Sequence, residues 1–84
     1  MAVFLICYDL RKPDYDYDPV WAELDNIGAQ HIQDSVWAVQ SNKSANELFQ
    51  LLWPHFHNEK DRLLISSINS YWGIHSMEGI PPLS

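Results

Sequence analysis

Residues 2–8, AVFLICY, constrain this chain more than any other stretch, because they are apolar or aromatic throughout. Successive side chains of a strand point to opposite faces, so Val3, Leu5 and Cys7 share one face and Phe4, Ile6 and Tyr8 the other. A half-solvated strand alternates apolar with polar residues. This one does not, which predicts a central strand covered on both sides. One cover has to come from the chain's own helices. With 84 residues the chain makes one domain and buries only a limited share of its surface, so a second copy of itself is the natural other cover. Phe4, Ile6 and Tyr8 are the expected interface with that copy. Residues 1–77 are expected to form the domain and residues 78–84 an extended tail, since Pro81 and Pro82 leave little regular structure there.

The remaining periodicities supply the partners of that strand. Asp18 before Pro19 predicts a capped helix start, and Val20, Trp21, Leu24 and Ile27 recur at helical spacing up to Gly28, a natural stop. The predicted helix covers residues 19–27. Residues 30–40, QHIQDSVWAVQ, favour strand, broken or turned near Asp34 and Ser35. Ser44 and Glu47 have the spacing of a capping box ahead of Leu48, Phe49, Leu51 and Leu52, predicting a helix over 45–53 that Pro54 must end or kink. Residues 62–69 read as a further strand, and 71–75 as a short final one. The order predicts an α+β split βαβ domain, with an antiparallel sheet and both helices on one face.

Composition narrows the functional classes. Eleven acids against five Lys and Arg leave a net charge of -6, which opposes general adhesion to nucleic acid. A local basic patch or a bound divalent metal can override that sign. Cys7 is the only cysteine, so neither a disulfide framework nor a cysteine-based zinc site is available. The chain has no apolar run of membrane-spanning length and no basic n-region of a signal peptide, which predicts a cytoplasmic protein without a membrane partner.

Asp9 is the first candidate for chemistry. If the strand runs through it, its carboxylate emerges from the Val3, Leu5, Cys7 face. One carboxylate is a poor magnesium site, but two related by a dimer axis, with waters and substrate phosphates, make a reasonable one. The other reading is a turn aspartate that accepts backbone N–H groups near Leu10 and Arg11. Arg11 and Lys12, the only adjacent basic pair, either clamp a phosphate or balance neighbouring acids. Asp14, Asp16 and Asp18 imitate a calcium loop, but Pro19 stands where that loop requires glycine, so they read as an acidic surface loop. His31, His55, His57 and His75 lack zinc-ligand spacing. Trp37 and Trp72 lie in strand candidates, where they either stack on a base or pack.

Tyr8-Asp9-Leu10 and Gln33-Asp34-Ser35-Val36-Trp37, in this order and separated by a helix ending at Gly28, resemble the motifs of the Cas2 proteins of CRISPR systems and their stand-alone relatives. The similarity extends over about the first seventy residues. It implies a ferredoxin-like fold and a homodimer packed sheet to sheet. It also implies that Asp9 faces its symmetry mate across a cleft as the catalytic and Mg2+-binding residue of a nuclease. Ser35 and Trp37 would lie near that cleft and, with Arg11 and Lys12, contact nucleic acid or its phosphates. Two functions follow: a metal-dependent endonuclease, or a non-catalytic dimer that binds nucleic acid or a protein partner. The acidic charge and the few residues after Met77 depart from what a DNA-bridging member of an integrase complex would carry.

Overall fold

The structure is a computed structural model that describes residues 2–70. The short strand expected over 71–75, the boundary after residue 77 and the tail lie outside the described residues. The elements are β1 (Ala2–Asp9), α1 (Asp18–Asn26), β2 (Gln30–Gln33), β3 (Val36–Ser41), α2 (Ala45–Leu52), a 3-10 turn (Trp53–His55) and β4 (Arg62–Ile68). The four strands form one antiparallel sheet in the order β2-β3-β1-β4, with the apolar β1 in the interior. This is a small α+β domain, consistent with a ferredoxin-like βαβ fold.

Local chemistry explains most boundaries. Ser44 Oγ accepts the Glu47 N–H at 3.1 Å while Glu47 Oε1 accepts the Ser44 N–H at 2.9 Å, so the expected capping box is formed. The α-helix ends at Leu52, with the Trp53 N–H still donating to the Phe49 carbonyl. Pro54 has no N–H to continue it, and the chain tightens into a 3-10 turn that still delivers Phe56 to the core. Gly28 sits at φ +78 and closes α1 as predicted. The start of α1 differs from expectation. Asp18 is already helical rather than the cap, Tyr17 holds the cap position without a side-chain bond, and Asp16 Oδ1 accepts the Asp18 N–H at 3.0 Å.

The turn near Asp34 separates β2 from β3, as the pattern suggested, with a register shift between His31 and Gln33. Ser35 holds φ +61, a left-handed conformation uncommon for a residue with a Cβ. No helix among the described residues is long and apolar enough to cross a membrane.

The sheet register sorts the faces. Ile6 stands opposite Trp37 and Ile65, whereas Cys7 stands opposite Val36 and Leu64. Phe4, Ile6 and Val39 pack with Val20 and Leu24 of α1 and Leu48 and Leu52 of α2, and Tyr8 borders that cluster. Both helices therefore cover the Phe4, Ile6, Tyr8 face. This corrects the expected interface: Phe4 and Ile6 are buried within one chain, Ile6 with no exposed surface, and cannot also meet a second copy. The opposite face carries Val3, Leu5, Cys7 and Asp9 beside Leu64, whose exposure is 63%.

Candidate functional site

Asp9 is the last residue of β1 and stands in register with Arg62, the first residue of β4. Both belong to the face that the helices leave uncovered. Cys7, Tyr8, Asp9, Arg62, Leu63 and Leu64 line a shallow cleft of about 330 Å³ there. Asp9 Oδ2 accepts a hydrogen bond from Arg11 Nε at 2.7 Å, and both side chains are about half exposed. No backbone N–H among the described residues bonds to the Asp9 carboxylate. The turn-aspartate reading is thus not what the structure contains.

Asp61 takes that backbone role from fifty residues away. Its Oδ1 accepts the Arg11 N–H at 2.7 Å and the Tyr17 hydroxyl at 2.6 Å, and its Oδ2 accepts the His57 N–H at 2.8 Å. The side chain is buried, and it joins the exit of β1 to the entry of β4. Burial alone would raise its pKa. The Tyr17 hydroxyl and the Arg11 and His57 N–H groups outweigh that and hold it below the usual carboxylate range. Tyr17 is pushed up to about 12 by its own burial and by the adjoining carboxylate, so it stays a donor. Asp61 lies in the polar stretch of residues 57–61 just before β4. Its only local signal is position, just ahead of an apolar strand, and nothing in the sequence announces partners so distant.

The other expected contacts separate. Ser35 reaches this end of the sheet, since its carbonyl accepts the Tyr8 N–H at 3.1 Å and so brings the β2-β3 turn beside the end of β1. Trp37 does not join Asp9. It lies on the helix-covered face, donates from Nε1 to the Tyr8 hydroxyl at 3.1 Å, stacks on His31 at 4.6 Å and runs nearly parallel to Trp21 at 6.3 Å. Its ring serves packing. Lys12 Nζ lies 3.0 Å from Asp14 Oδ1. Burial pushes the Cys7 thiol up, which makes it a poor nucleophile at neutral pH.

Magnesium does not fit one chain as it stands. It prefers oxygen ligands in an octahedral shell, and here a single carboxylate has one oxygen bonded to a guanidinium and a second arginine across the ladder. Among the described residues no three His, Cys, Asp or Glu side chains gather as a metal site. A site of that kind requires carboxylates from outside the described residues of one chain. No protein-family model matches the chain, and no solved structure matches it.

Proposed function

We propose that this chain acts as a Cas2-like homodimer whose Asp9 clefts engage a nucleic acid. The observation that carries the reading is that Asp9 and Arg62 line one cleft on the face without helices, with Arg11 bonded to Asp9 and the Ser35 carbonyl bonded to the Tyr8 N–H at the same end of the sheet. Val3 and Ala38 of that face are already buried, but near the cleft Leu64 is exposed beside the half-buried Cys7, Leu5 and Val36, apolar surface that a second copy would remove from water. Packing of two such faces about a two-fold axis would repeat Asp9 and Arg62 in one shared cleft. Guanidinium groups supply the planar donors that phosphodiester oxygens accept, and Asp9 restrains Arg11 in a defined orientation.

A second reading, divalent-dependent cleavage, rests on a separate observation. Asp9 Oδ1 accepts no hydrogen bond among the described residues and stands half exposed on that same face. It is available to a cation that a second carboxylate would complete.

One set of measurements decides between these readings. Sedimentation should give about twice the monomer mass. Labelled RNA and DNA should bind, and an Asp9→Ala variant should keep the dimer and the circular dichroism spectrum. Magnesium-dependent cleavage that disappears in Asp9→Ala establishes the nuclease. Binding without cleavage in either protein establishes the non-catalytic reading, and a monomer that binds neither nucleic acid rejects both.

A further inference from the structure

We infer that Arg62 is the principal phosphate-binding residue of the Asp9 cleft, ahead of Arg11 and Lys12, whose charges are already paired. This inference rests on the nucleic-acid reading above and specifies the group that performs it.

The charges around the cleft decide the assignment. Arg11 and Lys12 are the adjacent basic pair, yet each is already neutralised: Arg11 Nε is bonded to Asp9 at 2.7 Å and Lys12 Nζ to Asp14 at 3.0 Å. A phosphate approaching Lys12 also meets the Asp14 carboxylate, which is more exposed than the lysine. A phosphate approaching Arg11 finds its Nε taken and its charge offset by Asp9, with only the terminal Nη groups left to donate. Arg62 is exposed, lines the cleft and makes no ion pair with any of the described residues. None of its guanidinium donors is bonded to a described residue, and its fork suits the bidentate contact of a phosphodiester.

The fold also holds Arg62 in place. It opens β4, with Asp9 as its register partner, so its Cα is fixed by the ladder rather than by a loop. The preceding residue, Asp61, is buried, and through its bonds to the Arg11 and His57 N–H groups it ties that strand start to the loop carrying Arg11. Two guanidiniums stand near one carboxylate as a result, and among the cleft-lining side chains Asp9 and Arg62 balance, so the cleft is locally neutral in a chain whose total is -6. An acidic protein that binds a polyanion needs such a local relief of its negative charge.

The test is fluorescence anisotropy with labelled single-stranded RNA, single-stranded DNA and duplex DNA, each measured across a salt series. Arg62→Gln is expected to weaken binding about tenfold, the loss of one charge-assisted contact. It should also reduce the log-log salt slope by about 0.7 for single strands or about 0.9 for a duplex for each Arg62 that the nucleic acid contacts. Lys43→Gln makes the same charge change beyond β3, whose last residue pairs with Ala2 at the far end of the sheet, and should leave the slope unchanged. Arg62→Lys should recover the slope while regaining only part of the affinity, since a point charge lacks the fork. Equal losses in Arg62→Gln and Lys43→Gln would mean that only overall charge matters, and the assignment falls. A larger loss in Lys12→Gln than in Arg62→Gln overturns it in favour of the loop, leaving the nucleic-acid reading intact. A native chain that binds none of the three probes removes that reading and Arg62's role with it.

Discussion

The two faces of this sheet are both apolar, and they meet different fates. On one, Phe4, Ile6 and Val39 disappear under two helices. On the other, Leu64 stays largely open and the strand ends carry Asp9 and Arg62. The same contrast separates two aspartates near Arg11. Asp61, on the packed side beside Tyr17, is buried with three donors, whereas Asp9 is half exposed with one. Apolar character therefore does not show which face a chain covers by itself. What distinguishes them is where charge is tolerated: buried and fully bonded on one side, open to water or a ligand on the other.

The contrast breaks first, if it breaks at all, at Ile6. Ile6→Ala removes a side chain with no exposed surface and should cost about 2–5 kcal/mol in urea unfolding. Leu64→Ala on the open face should cost under about 0.5 kcal/mol in a lone chain. If a second copy covers Leu64, its cost becomes larger and depends on protein concentration. Equal, concentration-independent costs at the two positions would show that the faces are not different.

Asp61→Asn comes next. It removes the charge from a buried acceptor of three hydrogen bonds and should cost about 1–3 kcal/mol. Its pH dependence has a definite sign. The folded-state pKa lies below the unfolded value of about 3.9, so the carboxylate's contribution is present above that pH and is lost as pH falls toward the folded pKa. The stability gap between native and Asp61→Asn proteins should thus narrow on acidification below about pH 4. A gap independent of pH would deny the ionised role.

Asp9→Ala sharpens the comparison from the other side. An exposed pair with Arg11 contributes about 0–1 kcal/mol, so unfolding should barely change even where binding or cleavage does. Ser35→Gly is the smallest effect and is expected in the opposite direction. Relief of φ +61 should offset the entropy cost of glycine and raise stability by up to about 1 kcal/mol. A clear loss of stability in Ser35→Gly would show that the serine side chain holds the turn.

Much of the architecture was legible because it rests on local chemistry. The succession of strands and helices over residues 2–70, the break near Ser35, the Ser44–Glu47 box and the Gly28 stop all depend on residues within a few positions of one another. So does the alternation that puts Asp9 in line with Val3, Leu5 and Cys7. The choice of face for the helices was not legible, because both faces of β1 satisfy the hydrophobic effect equally well. Only the register with Trp37 and Ile65, and the packing of Leu24 and Leu52, assign Phe4 and Ile6 to the interior. Asp61 and Arg62 were hidden for a related reason. Their partners lie across the chain, and whether a carboxylate is buried or an arginine is left unpaired depends on which segments fold back beside it. Periodicity and capping set the elements, since they act over a few residues. The distribution of charge at the cleft was decided by tertiary structure, because it depends on contacts between residues remote in sequence.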